Sequence, residues 1–252
     1  MEERYKKVPL SFGQKTLIIL KVHKIFLIIE LKCVHLQLKE DGRQNLKQNK
    51  TNKKFIYLIS PNSIKNDSFY TQLDQVLSQK KVSFFQLRLK KETNKNKISI
   101  GKKIKKICKK YKVKFLINDD PVLAKKLNAD GCHLGQKDMD IKKARKILKN
   151  KIIGITCHNS INFAKRAIKD GASYLAFGAF YSSLTKKTKY KASLKILNLA
   201  KKITNIPIVA IGGIKLSNYK KLLLNKANFL AISGYIWNNK KYKPSEAIKK
   251  LK

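Results

Sequence analysis

Eight short apolar runs, each bounded by turn residues, alternate with lysine-rich stretches of helical period from residue 55 to the end of this chain. The runs are FIYLIS (55–60), VSFFQLR (82–88), VKFLIN (113–118), ADGCHL (129–134), KIIGIT (151–156), ASYLAFG (172–178), IPIVAIGG (206–213) and NFLAIS (228–233). Between them lie segments such as IGKKIKKICKKY (100–111), MDIKKARKILKN (139–150), INFAKRAIKD (161–170), ASLKILNLAKKI (192–203) and LSNYKKLLLNK (216–226). In these the apolar residues recur three or four positions apart, with Lys on the other face. Eight strand–helix units in about 200 residues imply an α/β fold, a single small (β/α)8 barrel of the TIM type. An open doubly wound sheet is the alternative, but it would show fewer units and a glycine-rich first turn, and none follows FIYLIS.

Residues 1–54 stand apart from this rhythm. The stretch 17–38 (LIILKVHKIFLIIELKCVHLQL) is the one membrane candidate, yet Lys21, His23, Lys24, Glu30 and Lys32 interrupt it. A spanning helix needs roughly 20 nearly uncharged residues. No small-residue cleavage site follows a short apolar run, which speaks against a signal peptide. Residues 39–54 (KEDGRQNLKQNKTNKK) read as a polar linker. The expected organisation is therefore an N-terminal extension and linker over 1–54, ordered or not, and a catalytic barrel over 55–252.

The chain carries 58 Lys and Arg against 15 Asp and Glu, a formal charge of +43. Such a balance favours anionic partners: nucleic acid, an anionic membrane or phosphorylated metabolites. The lysines are spread throughout, beside much Asn and Ile, which reads as a compositional bias rather than a dedicated nucleic-acid surface. No nucleic-acid motif accompanies the charge. Cys33, Cys108, Cys132 and Cys157 form no CxxC pair and no disulfide framework. Cys132-His133 and Cys157-His158 lack zinc-ligand spacing. A cytoplasmic protein, off the membrane and without specific nucleic acid, is expected, with a homo-oligomer left open.

In a barrel of this kind, chemistry belongs at the C-terminal ends of the strands. After the second strand, alternation sets Gln86, Arg88 and Lys90 on one side, a line able to clamp a pyrophosphate. After the third stand Asn118 and Asp119, with Asp120 as a helix cap before Pro121. The fourth strand is followed by Asp138, while Asp140 reads as the cap of the next helix and His133 as a packed barrel residue. Asp119 and Asp138 make a carboxylate pair inside a positive protein, which suits Mg2+ shared with substrate phosphates. The fifth strand ends in Thr156, a candidate phosphate ligand, and His158. The loop after the sixth (GAFYSSLTKK, 178–187) offers Ser183, Thr185 and Lys186 as an anion lid. Gly212 and Gly213 after the seventh, and Ser233 and Gly234 after the eighth, form a second, monophosphate cradle.

Taken in order, QLRLK, INDD, ADGCHLGQKDMD, IIGIT, the GAFYSSLTKK loop and IPIVAIGGI closely resemble the thiamine-phosphate synthases, from about Phe55 to Lys252. That resemblance implies a (β/α)8 barrel that joins hydroxymethylpyrimidine pyrophosphate to thiazole phosphate and releases pyrophosphate. It implies Mg2+ on Asp119 and Asp138. It also implies pyrimidine-pyrophosphate contacts from Gln86, Arg88, Lys90, Asn118 and Lys186. Thr156 stands where the family usually has Ser, Ser183 where the loop usually has the first Thr, and Thr185 matches the second. Gly213 falls at the thiazole-phosphate position. Departures lie in Ser182-Ser183 (for Pro-Thr), in KYKAS (189–193), which lacks the usual glycine, and in FLAISGYIW (229–237). The related thiazole tautomerases use a histidine that His158 matches but lack the metal carboxylates. The tautomerase reading and a non-catalytic nucleic-acid-binding protein are the alternatives.

Overall fold

The computed structural model describes residues 54–183 and 189–252. Of the expected extension over 1–54, residues 1–53 lie outside the described residues, as do Thr185 and Lys186 of the sixth loop. Eight strands form where the eight apolar runs stand: β1 (Ile56–Ile59), β2 (Val82–Leu87), β3 (Lys114–Asn118), β4 (Gly131–Leu134), β5 (Ile152–His158), β6 (Tyr174–Phe177), β7 (Ile208–Ile211) and β8 (Phe229–Ile232). They pair in sequence order, and β8 returns to β1 to close a barrel. Every pairing is parallel. A parallel neighbour can be reached only by a crossover. The stretches between the strands supply the helices: α1 (Ser68–Leu77), which carries no lysine, and the lysine-bearing α2 (Asn94–Lys110), α3 (Pro121–Lys126), α4 (Ile141–Leu148), α5 (Ile161–Lys169), α6 (Lys195–Ile203) and α7 (Tyr219–Leu224). Two short helices, α8 (Gly234–Trp237) and α9 (Pro244–Lys250), follow β8.

The strands are buried on both faces, so each divides its residues between two cores. Outward-facing Ile56, Leu58, Phe85, Leu87 and Ile117 pack under the helices. Inward-facing Tyr57, Ile59, Leu116, Tyr174, Ala176 and Val209 fill the barrel, joined by Phe84 and Phe229. Aromatic rings dominate that filling. Tyr57 lies 5.4 Å from Phe84 and 5.7 Å from Tyr174, and Phe84 meets Phe229 edge-on at 5.0 Å. Such rings need room, which Gly154 provides: a Cβ there would lie 1.8 Å from Cζ of Tyr174. The interior is thus a packed core, and only the C-terminal ends of the strands open onto a mouth.

At the opposite end a single arginine holds several loops. The Arg145 guanidinium donates to the carbonyls of Lys149, of Lys151 at 2.6 Å and of Gly171 at 2.8 Å. These carbonyls end α4, begin β5 and lead into β6. Hydrogen bonds from a charged donor contribute about 1.5–3 kcal/mol each at most, and a lysine ammonium, with its three donors on one atom, does not reproduce the spread of the two Nη groups among these carbonyls. Arg145→Lys is expected to cost about 2 kcal/mol in urea unfolding. An unchanged midpoint would mean that water replaces these contacts at no loss. Among the described residues no helix is long and apolar enough to cross a membrane. Cys108, Cys132 and Cys157 are free and buried.

Candidate active site

The β2 and β3 ends bring one set of predicted residues together. Gln86, 3% exposed, donates through Nε2 to Oδ1 of Asn118 at 2.5 Å, so the two amides form one fixed unit. Arg88 is held at both ends: its backbone N–H donates to Oγ of Ser60 at 2.9 Å and its Nη1 to Oδ1 of Asn62 at 3.0 Å. Lys90 reaches across to Asp119, with Nζ 2.9 Å from Oδ2. Half-exposed, that pair adds little to stability; it sets where the two charges stand.

The backbone explains why Asp119 points into the mouth. Asp120 and Pro121 open α3, and the Asp120 carboxylate accepts the Leu123 N–H at 2.8 Å, as the sequence predicts. The chain must turn sharply between β3 and that cap, and Asp119 makes the turn in the left-handed region at φ 64°. Asp tolerates this conformation better than most residues, yet it still costs free energy and persists only where neighbours enforce it. The Asp119 N–H, donated to the His133 carbonyl at 2.8 Å, is one such restraint.

Asp138 arrives from the β4 loop. One of its oxygens accepts the Gly135 N–H at 2.6 Å, and Asp140 next to it caps α4 through the Lys142 N–H at 2.8 Å. Asp119 and Asp138 lie close enough to perturb each other, and their acidities separate. Burial raises Asp119, but its contacts with the Lys90 ammonium and with Asp138 outweigh it and hold Asp119 below the usual carboxylate range. Burial, and then contact with Asp119, raise Asp138. Two carboxylates in contact need a proton or a cation between them. The donor set suits a hard dication: two carboxylates, with no group of three or more His, Cys, Asp or Glu among the described residues. Mg2+ takes one or two protein carboxylates and fills its remaining positions with water and phosphate oxygens.

Beside this pair lies a cavity of about 280 Å3, lined by Lys90, Asn118, Asp119, Asp120 and Lys97 among others. Lys97, on the first turns of α2, lines this cavity together with Leu87, Leu89, Ile117 and Leu123, and the sequence did not single it out. Helical period alone does not separate it from the other lysines of that helix.

Next around the rim, beyond β4, come Thr156 and His158 on β5, and further on the glycines after β7. The Thr156 carbonyl accepts Nε2 of Gln136 at 2.5 Å, a second residue the strand-end reading passed over. A bulge follows between Thr156 and His158, and His158 lies in the left-handed region at φ 53°. Its ring stacks on Tyr190 at 3.9 Å. Gly212 and Gly213 both have positive φ, 105° and 59°. A Cβ on Gly213 would lie 2.2 Å from the Ser182 carbonyl oxygen, so this turn requires glycine. The segment before Ser183 rests on that turn, with the Tyr181 N–H donated to the Gly212 carbonyl at 3.1 Å. The Ser233 hydroxyl donates to the Ser60 carbonyl at 3.1 Å and ties β8 to β1 beneath Arg88, while Gly234 begins α8. His133, expected as a packed residue, is 8% exposed, and both its ring nitrogens are hydrogen-bonded.

Comparison with known proteins bears on this arrangement. The family described as thiamine monophosphate synthase matches residues 56–236. A thiamine-phosphate synthase of Pelagibacter ubique (strain HTCC1062) is 80% identical over 207 residues, covering 82% of this chain and 100% of the relative. That of Nitrosomonas eutropha (strain DSM 101675 / C91 / Nm57) is 40% identical, covering 73% of this chain and 86% of the relative. Among solved structures, thiamine phosphate pyrophosphorylase from Pyrococcus furiosus superposes with a TM-score of 0.70 at 26% identity, covering 79% of this chain and 94% of that one. A 3-hexulose-6-phosphate synthase, with a TM-score of 0.56 at 18% identity, shares the fold.

Proposed function

This chain belongs to the thiamine monophosphate synthase family, and from that premise we propose that its mouth couples hydroxymethylpyrimidine pyrophosphate to thiazole phosphate with Mg2+ bound by Asp119 and Asp138. The observation that carries the metal-dependent reading is the contact of those two carboxylates beside Lys90. A thiazole tautomerase has no use for such a pair.

In this reading the carbon–oxygen bond to pyrophosphate breaks first, and a pyrimidine-methyl cation forms. The thiazole nitrogen then attacks that carbon and the new carbon–nitrogen bond closes. Arg88 and Lys90 stabilise the negative charge that builds on the departing pyrophosphate, a preorganised role because both are already restrained. Mg2+, when bound, supplies further charge neutralisation on the same oxygens. Gln86 and Asn118, fixed to each other, orient the pyrimidine. Gly213 and the neighbouring backbone receive the thiazole phosphate, with Ser233 and Gly234 at the rim, and Ser183, Thr185 and Lys186 complete the anion-binding loop. No protein nucleophile is required.

A coupling assay tests this. Thiamine phosphate and pyrophosphate should form only with both substrates and Mg2+, and EDTA should abolish them. Arg88→Ala should lower kcat/KM for the pyrimidine substrate by about 10²-fold. Product formation that persists in EDTA would remove the metal from the mechanism. Folded protein that forms no product with both substrates and Mg2+ present would refute the synthase.

A further inference from the structure

Four side chains from four strands form one hydrogen-bonded chain up the barrel. The Tyr57 hydroxyl meets the Tyr174 hydroxyl at 2.7 Å. Tyr174 meets Nδ1 of His133 at 2.8 Å, and Nε2 of His133 meets Oγ1 of Thr156 at 2.8 Å. Tyr57 is 1% and Tyr174 3% exposed, while Thr156 stands at the top, open to the mouth. The lower end is closed: Tyr174 is the one hydrogen-bond partner of the Tyr57 hydroxyl among the described residues.

Counting protons gives this chain a direction. Burial keeps both phenols protonated, since it pushes Tyr57 and Tyr174 far up from their ordinary values. If Thr156 donated to Nε2, the His133 proton would sit on Nδ1 and point at Tyr174. Tyr174 would donate to Tyr57, and the Tyr57 hydrogen would be buried with no acceptor. A doubly protonated ring leads to the same dead end. Reversed, every buried donor is used: Tyr57 donates to Tyr174, Tyr174 to Nδ1, and Nε2–H to Thr156. Leaving a buried donor unmade is costly, whereas Thr156 loses nothing by turning its hydrogen toward the mouth.

We propose that His133 is a positioning residue, held as its Nε2–H tautomer by Tyr174 and Tyr57, and that it makes Thr156 an obligate hydrogen-bond donor to an acceptor atom of the bound substrate. The substrate assignment rests on the synthase reading; the tautomer does not. Asn118 is the register partner of His133 across β3 and β4, which sets the donor on the pyrimidine side of the mouth. A ligand presenting a lone pair there is accepted, and one presenting an N–H is refused.

Two measurements test this on the full chain. In protein carrying 15N-histidine, with His133→Asn to identify the resonance, the ring should show a proton on Nε2 and none on Nδ1 at neutral pH. An Nδ1–H tautomer or a doubly protonated ring overturns the proposal, whether or not the protein is a synthase. Kinetically, Tyr174→Phe removes the hydroxyl that donates to Nδ1, two side chains away from the mouth. It should lower kcat/KM for the pyrimidine substrate roughly five- to tenfold, leave that for thiazole phosphate unchanged, and do nothing further in a Thr156→Val background. Equal losses for Tyr174→Phe in both backgrounds would show that the hydroxyl acts through packing and would overturn the proposal. Wild-type protein without synthase turnover refutes the function alone, and the tautomer is then decided by the nitrogen spectrum.

Discussion

Replacing Asp119 by Asn is expected to lower turnover by about 10²–10³-fold while leaving the fold intact. Asn is the informative substitution because position 119 lies in the left-handed region. Asn adopts that conformation as readily as Asp, whereas Ala would add backbone strain to the loss of charge. What changes is electrostatic. The carboxylate that faces Asp138 and holds Lys90 at 2.9 Å becomes a neutral amide, so the pair loses the charge density a hard dication needs. The loss should appear in kcat at saturating substrate, with a raised Mg2+ requirement, and the thermal midpoint should stay within a few degrees of wild type. Turnover within threefold of wild type at low Mg2+ would show that Asp119 does not hold the metal.

The second large effect concerns stability. Gly154→Ala should destabilise the barrel by about 3 kcal/mol or more, because a Cβ placed 1.8 Å from Cζ of Tyr174 must displace a ring packed on every side. For a domain of this size that lowers the thermal midpoint by roughly 6–12 °C. Tyr174 stacks on His133 and bonds to Tyr57, so a displaced ring also breaks the chain of hydroxyls below Thr156. The cause can be isolated: in a Tyr174→Ala background, itself destabilised by the missing ring, the added cost of Gly154→Ala should largely vanish. An undiminished cost would locate the clash elsewhere, in the strand backbone.

Much of this was legible in the sequence because the signals are local. Apolar runs of six to eight residues bounded by turn residues gave all eight strands, and strict strand–helix alternation gave closure in sequence order. Asp120 before Pro121 and Asp140 before Ile141 read as caps, and both are caps, since a cap needs only an oxygen beside a helix start. Period-two alternation set Gln86 and Arg88 at the mouth. Other features left no local trace. Lys97 is one lysine among many on a basic helix, and Gln136 faces a carbonyl twenty residues away. Gly154 reads as an ordinary glycine within a strand until the Tyr174 ring of the neighbouring strand is laid over it.

The sequence by itself determined the barrel, the place of each strand to within two residues and the residues offered at its rim, because periodicity, caps and turns act over a few residues of chain. The tertiary structure alone decided which of those residues touch. Asp119 meets Asp138 and Lys90, and Tyr57 meets Tyr174 across 117 positions, only because closure brings distant strand ends within hydrogen-bond reach. The direction of the Tyr57–Tyr174–His133–Thr156 chain belongs to the same class. It follows from one buried hydroxyl with a single partner among the described residues, and burial is a property of the assembled core rather than of any segment.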